Sequence, residues 1–102
     1  LQEQIQINNI TIDTISHTVT RNGEEIYLKP MEYNCLMMFV RNPNKALTRE
    51  QLLDHIWGYE YAGDTRTVDV HIKRLREKIK DHPNWSISTV WGIGYKFEVK
   101  SE

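Results

Sequence analysis

The chain has one cysteine among its 102 residues, no large excess of either charge and no long apolar run. A single cysteine excludes an internal disulfide framework, and the apolar helical pattern around Cys35 is typical of a buried thiol in a reducing cytoplasm. Because no apolar run approaches the ~20 residues of a membrane span, a membrane-embedded chain is excluded. Charged residues make up 26% and apolar residues 39% of the chain, which predicts one ordinary globular domain.

Motifs of catalysis and metal binding are also missing. The histidines are scattered along the chain, at His17, His55, His71 and His82. No Cys-His spacing resembles a zinc site, and His71, at the edge of an apolar helical stripe, is predicted to be structural. Nucleophile and base pairs and phosphate-cradling glycine loops are lacking, since Gly92 and Gly94 belong to a hairpin tip. We therefore expect neither an enzyme nor a metal or cofactor site.

The net charge of −1 hides a segregation of charge along the chain. Residues 1–64 contain five lysines and arginines against nine acidic residues, whereas residues 65–102 contain eight against five. Such asymmetry indicates a local anion-binding face in the second segment.

The first part of the chain changes from a strand period to a helix period. Residues 1–28 contain short alternating apolar runs and an Asn22-Gly23 turn, which predict about four antiparallel strands. Pro30 suits the first turn of a helix, and that helix is expected to end near residues 41–44.

A second helix has unusually complete start signals. Thr48 is the predicted N-cap and Gln51, three residues later, closes a capping box. Leu47 is placed to staple against Leu52.

Residues 64–80 carry the strongest pattern in the chain. Apolar side chains recur at the spacing of one buried helical face, at Val68, Ile72, Leu75 and Ile79. The same segment has six basic residues against three acidic ones, which is typical of a helix that reads DNA. The alternative is a solvated surface helix with charge pairs such as Asp69 with Lys73. Asp64 or Thr65 is the predicted cap.

Two alternating runs, residues 86–90 and 95–99, are joined by Trp91-Gly-Ile-Gly94 and predict a C-terminal hairpin. A four-stranded antiparallel sheet, three helices and this hairpin form an α+β winged helix-turn-helix. Its last helix enters the major groove, and the hairpin, or wing, contacts flanking backbone or the minor groove. A winged helix that binds protein instead of DNA is the rival interpretation, but it gives no reason for the basic side of residues 66–80.

Four motifs in this order closely resemble the OmpR/PhoB family of bacterial response-regulator effector domains, and the similarity covers essentially the whole chain. The motifs are Thr48-Arg-Glu-Gln-Leu-Leu53, Ile56-Trp-Gly58, Arg66-Thr-Val-Asp-Val-His-Ile-Lys-Arg-Leu-Arg76 and Thr89-Val-Trp-Gly-Ile-Gly-Tyr95. The resemblance implies that residues 1–102 are the output domain of a two-component transcription factor. Its N-terminal receiver domain, the substrate of a sensor histidine kinase, is absent. The lack of an initiator methionine before Leu1 likewise suggests a fragment of a longer protein.

The resemblance also implies roles for individual residues. The groove-facing, base-reading side chains correspond to Val70, Lys73, Arg74 and Arg76. The residues that hold the DNA backbone correspond to Trp57, Arg66, Thr67, Thr89 and Tyr95. The loop from Gly58 to Asp64, with Tyr59, Glu60 and Tyr61, corresponds to a loop that can contact RNA polymerase. The isolated domain is expected to be a monomer that pairs head-to-tail on tandem half-sites of promoter DNA.

The chemistry of the side chains supports part of this assignment. Arginine presents two donors to guanine O6 and N7, which makes Arg74 the leading base-reading candidate, and valine at position 70 can pack on a thymine methyl group. One helical turn cannot aim Lys73, Arg74 and Arg76 in the same direction, so one of them is expected to meet phosphate.

The hairpin tip departs from a common family pattern, because many relatives carry arginine where this chain has Trp91. An arginine can enter a narrow minor groove and respond to its potential, whereas tryptophan has no charge to do so. Trp91 is expected either to stack on sugar or to pack back on the domain, and packing is the favoured alternative.

Overall fold

The computed structural model describes residues 3–58 and 64–100. The N-terminal sheet contains, in spatial order, β1 (Gln4–Ile7), β2 (Ile10–Asp13), β3 (Thr18–Arg21) and β4 (Glu24–Ile26). The helices are α1 (Pro30–Val40), α2 (Arg49–Trp57) and α3 (Arg66–Ile79). A second sheet has the order β5, β7, β6, with β5 (Ala46–Thr48), β6 (Trp85–Val90) and β7 (Gly94–Val99). The predicted N-terminal sheet, three helices and C-terminal hairpin are confirmed.

The N-terminal sheet is a meander of antiparallel hairpins. Asn22 and Gly23 connect β3 to β4 with φ angles of 52° and 83°, the two positive values that a type I′ turn requires. The side chains of Ile10, Ile12 and Val19 are buried beneath the sheet and join it to the common core.

The helix starts follow the predicted capping chemistry. Thr48 Oγ1 accepts from the Gln51 backbone N–H at 3.0 Å, and Gln51 Oε1 accepts from the Thr48 N–H at 2.8 Å, which confirms the capping box. At α3, the side chain that caps is that of Asp64 and not Thr65. Its Oδ1 accepts from the Arg66 backbone N–H at 2.9 Å.

The C-terminal hairpin has a third strand that the sequence analysis missed. Strand β5 pairs with β7, with Leu47 opposite Tyr95 and Thr48 opposite Gly94. Three residues are too few to show an alternating pattern, and the capping box that follows dominates this part of the sequence. A Cβ atom on Gly94 would overlap the carbonyl oxygen of Leu47, so glycine is what allows β5 to approach β7.

The core lies between α3, α1 and the two sheets. All four predicted apolar positions of α3 are buried, and Leu36 and Phe39 of α1 belong to the same cluster. Cys35 is fully buried among these side chains, as predicted, and burial raises the pKa of its thiol to about 12. With one face in the core, α3 leaves its opposite face to solvent.

Candidate nucleic-acid interface

The exposed face of α3 brings together most of the predicted base-reading residues. Arg66, Val70, Lys73, Arg74 and Glu77 follow one another at helical spacing opposite the buried stripe, and all five are exposed. Lys73 and Arg74 form no hydrogen bond or ion pair with any residue that the structure describes. Val70 keeps 46% of its surface exposed. This face therefore presents two cationic side chains, Lys73 and Arg74, that have no partner among the described residues, next to the apolar side chain of Val70.

Arg66 lies where α3 begins. Its side chain is 85% exposed and its Nη2 lies 2.8 Å from Asp64 Oδ2. The hydrogen bond from Arg66 lowers the pKa of the Asp64 carboxyl, and Asp64 raises the pKa of Arg66 in return. The carboxylate of Asp64 thus already binds both the backbone N–H and the guanidinium of Arg66, and the exposed guanidinium can bind a phosphate group in its place.

Arg76 does not share the exposed face with Val70, Lys73 and Arg74. Its Nε donates to the carbonyl oxygen of Ile87 at 2.9 Å, and its Nη2 donates to Thr89 Oγ1 at 3.1 Å. Both acceptors belong to β6, so Arg76 joins α3 to the wing. The sequence analysis expected Arg76 to read bases, but without DNA its Nε and Nη2 donate to the wing.

A polar cluster that the sequence analysis did not predict lies between α2, α3 and β7. Asp69 Oδ1 accepts from Arg49 Nε at 2.8 Å and from the hydroxyl of Tyr95. Asp69 is therefore paired with α2 and β7, and the predicted pairing with Lys73 is wrong. No local signal could have found this contact, since Arg49 and Asp69 are 20 residues apart and meet only through packing of the helices.

Tyr95 is buried at the centre of this cluster. The guanidinium carbons of Arg49 and Arg76 lie 5.3 and 5.2 Å from its ring centroid. Burial and the hydrogen bond to Asp69 raise the pKa of Tyr95, and the same carboxylate raises the pKa of Arg49. Tyr95 is predicted to hold the DNA backbone, but in the structure its hydroxyl donates to Asp69 inside the domain.

Of the remaining predicted backbone residues, Thr67 lies in the first turn of α3, and Trp57 and Thr89 flank the helix. Trp57 is half-buried and its ring packs edge-on against His71, with centroids 5.1 Å apart. His71 Nδ1 donates to the Thr67 carbonyl at 2.8 Å, which confirms His71 as a structural histidine. Thr89 is half-buried beside Arg76. The predicted polymerase-contact residues, Tyr59, Glu60 and Tyr61, lie outside the described residues.

The position of Trp91 differs from the predicted one. Its side chain is 89% exposed at the tip of the wing, so the prediction that it packs back on the domain is wrong. The reason is the turn: Ile93 donates its N–H to Val90 at 3.0 Å, and Gly92 has the positive φ, 81°, that a type II turn requires at its third position. This tight turn projects Trp91 away from the body.

Residues 3–58 and 64–100 contain neither a metal-ligating cluster nor a membrane-spanning helix. Nowhere in these two ranges do three histidine, cysteine or acidic side chains come together in a way that could hold a metal ion. None of the helices described is long and apolar enough to cross a bilayer.

Comparison with known proteins agrees with this geometry. The sequence profile of the family described as transcriptional regulatory protein, C terminal, matches residues 23–97. The chain belongs to this family. Its members are parts of transcription regulators, which is not a class of enzymes. The transcriptional regulatory protein SrrA of Staphylococcus aureus is 47% identical over 98% of the chain, and the chain spans 43% of the length of SrrA.

Solved structures show the same fold. The response regulator DrrB of Thermotoga maritima, an OmpR/PhoB homologue, superposes with a TM-score of 0.82 at 37% identity, covering 93% of this chain and 44% of DrrB. The DNA-binding domain of Klebsiella pneumoniae RstA, solved in complex with the RstA box, gives a TM-score of 0.83 at 32% identity and covers 94% of this chain and 97% of that domain. The predicted resemblance is confirmed: this is an OmpR/PhoB-type winged-helix DNA-binding domain.

Proposed function

We propose that this domain binds double-stranded promoter DNA with α3 in the major groove and thereby serves as the output module of a two-component response regulator. The observation that carries the proposal is the exposed face of α3. There Lys73 and Arg74 lie next to Val70 with no partner among the described residues, while the opposite face is buried in the core. The RstA domain, which shares the fold, was solved bound to its DNA box. A helix held on one side and cationic on the other suits groove insertion.

Each side chain then has a chemical task. Arg74 donates to guanine O6 and N7, Val70 packs on a thymine methyl group, and Lys73 binds a base edge or phosphate. The exposed guanidinium of Arg66 holds a phosphate in exchange for Asp64. Thr67, in the first turn of α3, completes the backbone contacts together with Trp57 and Thr89, which lie beside the helix. Tyr95 and Arg76 contribute by fixing the wing beside α3.

The proposal extends to partners of the whole protein. By analogy with its family, the domain follows a receiver that a sensor histidine kinase phosphorylates. The loop containing Tyr59 and Tyr61 contacts RNA polymerase, and the protein acts in the cytoplasm, where promoter DNA is accessible.

The isolated domain is a monomer and gains selectivity by head-to-tail pairing on tandem half-sites, since one recognition helix contacts too few base pairs to be selective alone.

Half-site spacing tests this pairing. Two domains on one face of DNA require half-site centres about one helical turn apart, so inserting ~5 bp puts them on opposite faces. Mobility shifts on both duplexes should show loss of joint occupancy on the longer one. Undiminished joint occupancy there would mean that the domains bind independently.

Salt dependence tests the DNA-binding proposal itself. If each domain neutralises about five phosphates, the slope of log K against log salt on random duplex should be about −4 to −5. Lys73→Ala should make that slope shallower by at most about 0.9, whereas Arg41→Ala, a matched control at the end of α1 paired with Glu3, should leave it unchanged. A wild-type slope near zero would favour the protein-binding winged helix.

A further inference from the structure

The tip of the wing is apolar and exposed. Trp91 and Ile93 have 89% and 47% of their surface exposed, whereas Trp85, in the same hairpin, has 2%. Residues 86–95 contain no charged side chain. A contact made by this tip must therefore depend on apolar packing, in contrast to the cationic face of α3.

The tip conformation is fixed in the absence of DNA. Val90 pairs with Gly94 across the hairpin, and the Ile93 N–H closes the turn on the Val90 carbonyl at 3.0 Å. Gly92 has a φ of 81°, and a Cβ atom added at this position would have no group beyond its chain neighbours within 4 Å. Trp91 is thus presented on a stiff two-stranded arm and needs little ordering when it binds.

The position of the arm is tied to α3. Arg76 donates to Thr89 Oγ1, and Trp91 follows two residues later, about 7 Å farther along the strand. Arg76 lies about one helical turn beyond Lys73 and is therefore its neighbour at the edge of the exposed face. When α3 occupies the major groove, the arm therefore extends along its flank, toward the neighbouring minor groove.

We propose that Trp91, supported by Ile93, inserts into this minor groove as an apolar wedge that selects easily unstacked pyrimidine-purine steps. The inference rests on the proposed function. An uncharged tip gains nothing from the negative potential of a narrow A-tract, whereas apolar side chains enter between base pairs at flexible TA or CA steps at a lower deformation cost. Insertion also removes the exposed indole from water. Relatives with arginine at the tip should have the opposite flank preference.

The test compares Trp91→Ala with wild type on duplexes selected by the wild-type domain from a random pool. In each duplex pair, only the flank differs, carrying a TA step or an A-tract. We expect Trp91→Ala to lose about 5- to 150-fold in affinity on the TA flank, the range for one aromatic stacked on bases, and much less on the A-tract. The salt slope should not change. Ile15→Ala, which removes an exposed side chain from the turn between β2 and β3, should leave both affinities unchanged.

A gain of charge gives a second, independent readout. Trp91→Arg should steepen the salt slope by about 0.9 and move the preference to the A-tract flank. Equal affinities of Trp91→Ala and wild type on every duplex would overturn the wedge, as would equal losses on both flanks. A loss confined to duplexes with two half-sites would overturn it in favour of a contact with the neighbouring domain. If wild type binds no duplex, the proposed function itself fails.

Discussion

Arg76 Nε lies 2.9 Å from the carbonyl oxygen of Ile87, a hydrogen bond that joins the recognition helix to the wing before any DNA is present. The bond to Thr89 and the Tyr95 ring beneath the guanidinium add to the same connection. Helix and wing therefore approach DNA as one preorganised unit, and less binding free energy is lost in ordering the wing.

Replacing Arg76 with alanine should weaken binding to the selected duplex and to random duplex by the same factor. Its removal should also lower the free energy of unfolding by about 1.5–3 kcal/mol, the usual range for hydrogen bonds of a charged group. Salt titrations and denaturation of Arg76→Ala, with Arg76→Lys as the charge-preserving control, check this. A slope shallower by about 0.9 in Arg76→Ala alone would assign Arg76 to phosphate. A loss confined to one base pair would restore the base-reading role predicted from the sequence.

Gly94→Ala should destabilise the domain far more than Gly92→Ala. The new Cβ at position 94 meets the Leu47 backbone, which has no room to move without breaking the pairing of β5 with β7. We expect a loss of about 3 kcal/mol or more for Gly94→Ala. Gly92→Ala adds only the strain of a positive φ, about 1–2 kcal/mol, because nothing lies near its Cβ position. Equal midpoints in urea denaturation would contradict the close approach.

Glu32 should make the stability of the domain sensitive to acid. Its side chain is fully buried and bonded to Lys78 Nζ and to the Lys29 N–H. Burial alone would raise the pKa of Glu32, but the bonds from Lys78 and Lys29 outweigh it and lower the pKa from its ordinary value of 4.5. This stabilisation is complete above the unfolded pKa and is lost as the pH falls through the folded pKa.

Lys78→Met isolates this pair. At pH 7 it leaves a buried carboxylate without its cation and should cost about 3–5 kcal/mol in the free energy of unfolding. Near pH 4 the difference from wild type should shrink, since protonated Glu32 no longer needs the cation. Lys73→Met, an exposed lysine of the same helix, is the matched control and should change little. A difference independent of pH would contradict the charged pair.

The parts of the fold that were predicted correctly have local signals. The capping box of Thr48 and Gln51, the Asn22-Gly23 turn and the apolar stripe of α3 are each specified by residues close together in the chain. Strand β5 was missed because it has only three residues and exists through pairing with β7, far along the sequence.

The candidate site was predicted less completely than the fold. The family resemblance implied base reading for Val70, Lys73, Arg74 and Arg76 alike, and only the first three share one exposed face of α3. The attachment of Arg76 to the wing depends on where β6 packs, which no local pattern encodes. The exposure of Trp91 was also predicted wrongly, because an apolar residue type favours burial while the turn that carries it decides otherwise.

Binding of Arg74→Ala to the selected duplex and to random duplex tests the central claim most directly. If Arg74 reads guanine from the major groove, its removal should cost roughly 1–3 kcal/mol on the selected duplex, much less on random DNA, and relax the preference at one base pair. Arg66→Ala, the proposed phosphate contact, should instead weaken both by one factor. Equal losses for Arg74→Ala on the two duplexes would contradict base reading by this face of α3.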